Sequence, residues 1–218
     1  RAIKDNSKDA KKLASHAIET ALALALPAAL GLIVLAEPIL KVMLERGEFS
    51  PADTINSAKA LMAYSFGIPA YVLARVFSTS FFAREDTKTP VKYAIITAII
   101  NTALALMLIV PFKHVGIAMA TSVGAWVNLT LLVRKLRKRG DLDIEAGIVL
   151  KSAKILLSGL FMALIAYAGF LLNIEIPLII QLGGVIAIAS FIYFLSLYML
   201  GVFNLSSIKN LLKLGGRS

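Results

Sequence analysis

Apolar residues run along this chain in six long blocks separated by short polar breaks: 18–44, 58–83, 93–112, 115–133, 155–174 and 177–205. About 20 mostly apolar residues are enough for a helix to cross a hydrocarbon layer. The last four blocks contain no Asp, Glu, Lys or Arg at all. The first carries Glu19, Glu37 and Lys41 toward its ends, and the second carries Lys59 at its start and Arg75 well inside. Barrel strands would alternate in runs of about ten residues, and nothing here alternates. The pattern predicts an all-α integral membrane protein with six transmembrane helices.

Composition agrees. Of 218 residues, 58% are apolar and 17% charged, with no cysteine and a mean hydropathy of +0.80. Soluble domains average roughly 45–50% apolar and about 25% charged, so a soluble enzyme, a nucleic-acid binder and a disulfide scaffold are all disfavoured. The net charge of +10 then reads as cytoplasmic loops and contact with anionic phospholipids. If the six blocks alternate in direction, 18 Lys and Arg fall on one side and four on the other, with Arg75 inside a helix. That bias puts both ends of the segment in the cytoplasm. The chain opens on Arg1 and a polar stretch, RAIKDNSKDAKKL, which is neither a signal nor a transit peptide. It reads as a start inside a longer chain, so an N-terminal half is an expected partner.

Inside the blocks a few residues carry chemistry. The third and fourth are joined only by about 111–114, which predicts an antiparallel hairpin. Gly116, Ala120 and Gly124 recur every four residues along the fourth and let another helix approach closely. Pro27 and Pro69 each remove a backbone donor and predict a kink, either fixed or a hinge. Arg75 lies nine residues from the cytoplasmic end, or about 13 Å of helix. Two environments satisfy it: snorkelling to the near surface, or a hydrated cavity where its forked donors meet an anionic headgroup such as a pyrophosphate. Asn101 and Thr121 fall at similar depth, as an interhelical hydrogen bond or part of an oxygen-rich ion site. No Gly-rich phosphate loop, activated nucleophile, carboxylate pair or metal-spaced His cluster points to catalysis.

Four stretches are then familiar. FFAREDTKTPVKYA (81–94), with its Arg84, Asp86, Thr87, Lys88, Thr89 and Pro90, resembles a loop of the multidrug/oligosaccharidyl-lipid/polysaccharide exporter superfamily. LPAALGLIVLAEPILKVMLERGEFS (26–50), YSFGIPAYVLARVFSTSFFAR (64–84) and PFKHVGIAMATSVGAWVNLTLL (111–132) are similar to its MurJ (MviN) lipid II flippase family. The resemblance implies helices nine to fourteen of a fourteen-helix flippase in a bacterial inner membrane. Residues 1–140 would then be four helices of the second lobe with an amphipathic lead-in. Residues 141–218 would be a terminal helix pair forming a groove for a lipid tail, with a cytoplasmic tail. The implied cargo is a lipid-linked peptidoglycan precursor moved by alternating access; another lipid-linked oligosaccharide, a drug cation or a non-transporting scaffold are the alternatives. Cofactors are none beyond a sodium ion or the membrane potential as coupling source. The family's sodium ligands fall on Asn101, Ile117 and Thr121, with Ala105 where an acid would stand.

The charge count makes a direct prediction. In intact cells, an impermeant thiol reagent should label a cysteine at Ser50 and spare one at Ser207; the reverse pattern overturns the orientation.

Overall fold

The computed structural model describes residues 2–141, 147–172 and 176–202, with side chains from residue 13 onward. Five helices account for nearly all of them: α1 (Ala2–Leu44), α2 (Pro51–Phe82), α3 (Lys88–Lys138), α4 (Ile148–Leu171) and α5 (Leu178–Met199). All five are long and apolar enough to cross a membrane. The lead-in is not separate from the first membrane helix, because α1 runs unbroken from Ala2. The end of the sixth apolar block beyond 202, and Ser207, lie outside the described residues.

The six expected spans are recovered because α3 is two helices. It breaks at Lys113, whose φ of 51° and ψ of −131° are non-helical. A straight helix would hold residues 101 and 124 about 34 Å apart, yet a Cβ built on Gly124 would lie 3.4 Å from the Asn101 side chain. One built on Gly116 would fall on the Leu108 carbonyl. The two arms, 88–112 and 114–138, are therefore an antiparallel hairpin. The Gly116/Ala120/Gly124 stripe is where its own first arm seats.

The remaining packing follows the same logic of small residues and polar bridges. The second arm of α3 lies parallel to α2: His114 Nε2 is 3.2 Å from the Asn56 carbonyl, Ser122 donates to the Ala63 carbonyl, and Trp126 Nε1 donates to the Phe66 carbonyl at 3.1 Å. Gly67 makes this approach possible, since a Cβ there would sit 2.9 Å from the Ser122 Cα. On its other side α2 packs along α1, and α1 in turn packs along α4. Gly159 of α4 meets Leu30, and Gly31 of α1 meets Met162. α5 returns antiparallel to α4, with Gln181 donating to the Gly169 carbonyl at 3.1 Å. The order across the bundle is α3, α2, α1, α4, α5, with α5 also touching α1. Its core is built from Phe77, Phe81, Leu132, Leu136, Ile155 and Leu197. Large apolar side chains such as Ile99, Met107 and Val110 face outward, a surface suited to lipid rather than water.

Helix ends show why the chain turns where it does. Ser50 caps α2 in a reciprocal box with Asp53, and Pro51 takes the first helical position, where a missing N–H costs little. α2 closes on paired bonds from Asp86 N to the Phe81 carbonyl and from Glu85 N to the Phe82 carbonyl. The second arm of α3 closes likewise, Asp141 N to Leu136 and Gly140 N to Arg137. This closure needs a left-handed residue, supplied by Gly140 at φ 70° in one case and Glu85 at φ 59° in the other.

Lys113 holds a left-handed φ without being glycine, a conformation costing about 1–3 kcal/mol. Glycine there gives back about 0.5–1 kcal/mol in unfolded-state entropy. Lys113→Gly should therefore raise the thermal unfolding midpoint in detergent by about 2–4 °C. An unchanged or lower midpoint contradicts the strained turn.

Candidate functional site

Three sites arise from this packing. The first is the open stripe of α2. Ala70, Ala74, Phe77 and Phe81 turn inward, so Tyr64, Tyr71 and Arg75 share an exposed face. Among the described residues no carboxylate lies within ion-pair distance of Arg75. Its cation thus has no carboxylate partner among the described residues, and Tyr71 and Tyr64 precede it on the same face of the helix.

The second is an apolar cavity of about 330 Å³ between α1, α4 and α5, lined by Leu24, Pro27, Gly31, Met162, Ile186 and Phe194 among others. Pro27 has no N–H to give to the Ala23 carbonyl. The hydroxyl of Tyr193, from α5, donates to that carbonyl at 2.7 Å. The proline, the helix that supplies the missing donor and the cavity are therefore one arrangement. Tyr193 carried no signal in the sequence beyond being a tyrosine in an apolar run. Its value is visible only once α5 is seen to lie against α1. Pro69, the other hinge candidate, is buried in α2. It leaves the Ser65 carbonyl without a donor from residue 69, in the same turn where Trp126 reaches the Phe66 carbonyl.

The third is the charged end. Asp86 accepts from the Thr89 backbone at 3.0 Å and the Thr89 hydroxyl at 2.7 Å, capping the start of α3. Thr87 and Lys88 fill the turn between cap and bond, and Pro90 is buried in the first helical turn. Those two bonds to Thr89, then Arg139, hold the Asp86 carboxyl down to about 2, so it stays ionised at neutral pH. Arg139 reaches Asp86 at 2.8 Å and lies 5.6 Å over the Phe81 ring. Arg84 in return pairs with Asp141. Two helix ends, each carrying an Arg and then an Asp two residues on, thus exchange their partners. Cations near helix C-termini are also favoured by the helix dipole. On the adjoining helices Lys151 pairs with Glu19 at 2.6 Å, and Lys154 donates to the Leu200 carbonyl at 2.9 Å. The loop motif was legible in the sequence. Its partners Arg139 and Asp141, about 50 residues away, were not.

Asn101 and Thr121 do not bond to each other. Asn101 lies level with Gly124, so the Thr121 hydroxyl turns to its own helix and donates to the Ile117 carbonyl at 3.0 Å. Asn101 Oδ1, Thr97 Oγ1 and Asn128 Oδ1 are buried in the hairpin without hydrogen-bond partners. These oxygens are neutral, Ala105 adds a methyl, and no acid occurs between 93 and 133. A cation in hydrocarbon needs compensating charge, so these residues do not by themselves fit a sodium ion.

Comparison with known proteins agrees with this architecture. The family model described as lipid II flippase MurJ matches residues 1–177. A probable lipid II flippase MurJ of Rickettsia prowazekii (strain Madrid E) is 42% identical over 202 residues, covering 89% of this chain and 40% of that protein. One of Rhizobium meliloti (strain 1021) is 37% identical over 218 residues, covering 96% and 41%. A solved structure, lipid II flippase MurJ in an inward closed conformation, superposes with a TM-score of 0.75 at 26% identity, over 91% of this chain and 40% of that one. The chain spans about two fifths of the length of these relatives. By sequence and by fold, it belongs to the MurJ lipid II flippase family.

Proposed function

We propose that this chain is the C-terminal part of a flippase that moves a lipid-linked peptidoglycan precursor across the bacterial inner membrane by alternating access, with its charged end in the cytoplasm. The observation that carries the reading is the family match over 1–177, joined to a fold that superposes along nearly the whole chain. The charge bias supports the orientation, because the paired ends around Arg84, Arg139 and Lys151 lie on the cation-rich side.

In this reading the two ends of the cargo meet different parts of the chain. A polyprenyl tail enters the apolar cavity at Pro27, where Leu24, Met162, Ile186 and Phe194 offer dispersion contacts and no charge. A pyrophosphate headgroup is drawn by the cation of Arg75, which has no carboxylate partner among the described residues, placed on a hydrated face rather than in lipid, where a buried guanidinium is costly. The forked donors of arginine suit two phosphate oxygens at once. Pro27 and Pro69 let the halves of α1 and α2 tilt separately as access alternates. The chain's own chemistry is binding and positioning; transport consumes no bond in the cargo.

Arg75→Ala in the full-length protein should impair rescue of a flippase-depleted strain while membrane abundance stays normal, and Arg75→Lys should be milder because it keeps charge and loses the fork. Full rescue by Arg75→Ala would make the residue a snorkelling anchor and remove it from the cargo path.

A further inference from the structure

The second arm of α3 carries an open surface that the reading above does not use. A groove of about 560 Å³ runs along it, lined by Phe66, Val123, Trp126, Val127, Leu131 and Arg134 among others. At its charged end a second recess of about 430 Å³ is bounded by Arg134, Arg137 and Lys138. Arg134 belongs to both, so an apolar trough opens directly into a three-cation cup.

The polar atoms of the trough are already spoken for. The Trp126 indole N–H bonds the Phe66 carbonyl at 3.1 Å, and its ring tilts on Phe66 with centroids 5.9 Å apart. The Thr130 hydroxyl donates to the Trp126 carbonyl at 2.7 Å. The trough therefore presents ring faces and methyl groups, held in place by bonds to backbone. The cup is the reverse. Arg139, in the same basic run, is committed to Asp86 and Phe81. Among the described residues no acid pairs with Arg134, Arg137 or Lys138. Within the basic run, Arg139 is thus tied to an acid, while the three cup cations have no acid partner among the described residues.

We infer that trough and cup together hold one anionic glycerophospholipid of the leaflet at the charged end, its phosphate on Arg134, Arg137 and Lys138 and one acyl chain along Trp126 and Phe66. Trp126 lies eight residues from Arg134, about 12 Å along the helix, a span that an acyl chain covers from its headgroup. A basic cup at a membrane helix end meets anionic headgroups, each cation adding about 1 kcal/mol, or about fivefold in retention. The cargo cavity lies across the bundle between α1, α4 and α5, so the two lipids occupy separate surfaces. The inference rests on the proposed orientation and not on transport.

Trp126 is the one tryptophan of this sequence and serves as the reporter. The full-length protein is placed in phosphatidylcholine vesicles containing equal minor fractions of either brominated phosphatidylglycerol or brominated phosphatidylcholine. The Trp126→Phe variant supplies the background to subtract. Quenching of Trp126 should be several-fold stronger with the anionic lipid. Arg134→Gln with Arg137→Gln should abolish that preference, while Lys88→Gln with Lys92→Gln, removing equal charge at the same end, should leave it. Equal quenching by the two lipids in the unaltered protein overturns the site. Equal loss of preference in both double variants also overturns it, in favour of a diffuse surface potential. Neither readout contains a transport step, so failure here is distinct from failure of the flippase reading.

Discussion

Hydrocarbon offers no hydrogen bonds, so every backbone N–H and C=O inside the membrane must find its partner within the protein. Helices meet this demand along their length and fail it only where they bend or end. In this chain those failures are the places where helices recognise one another. The Ala23 carbonyl freed by Pro27 is taken by Tyr193 of α5. Carbonyls in the turns before Pro69 receive Ser122 and Trp126 from the second arm of α3. The bonds are specific in a way that apolar packing alone is not, because leucine surfaces slide on lipid and on each other with little preference.

The charged end is held instead by caps and ion pairs. Two helix termini close on left-handed residues and then cross-pair, Arg139 to Asp86 and Arg84 to Asp141. Exposed ion pairs taken singly contribute little. Here each carboxylate or guanidinium also serves a cap, a ring or a neighbouring terminus, so the loop 83–87 is fixed to the end of α3. One consequence is a separation among the described cations: Arg84, Arg139 and Lys151 are tied to carboxylates, and Arg134, Arg137 and Lys138 have no acid partner among the described residues. Arg75, nine residues before Arg84 along α2, likewise has no carboxylate partner among the described residues.

Much of this was legible from the sequence. The six apolar runs, the tight reversal near 113 and the glycine stripe follow from hydropathy and side-chain size alone, and the structure meets each of them. The loop motif at 84–90 was visible as a resemblance. What the sequence did not carry was register. Asn101 and Thr121 fall at similar depth on paper, yet the hairpin sets Asn101 against Gly124, a shift of three residues that turns Thr121 back on its own helix. Long-range partners were equally hidden: Tyr193 is 170 residues from Ala23, and only three-dimensional packing makes a proline's missing donor and a distant hydroxyl into one feature.

The bond from Tyr193 to Ala23 is the sharpest test of whether interrupted backbone organises this bundle. Unfolding free energies of the unaltered protein, Tyr193→Phe, Pro27→Ala and the double variant, measured in one detergent, form a closed cycle. If the hydroxyl serves the carbonyl that proline frees, Tyr193→Phe should cost about 1 kcal/mol with Pro27 present. It should cost close to nothing with Pro27→Ala, where residue 27 regains its own N–H for Ala23. An equal cost in both backgrounds would contradict the account.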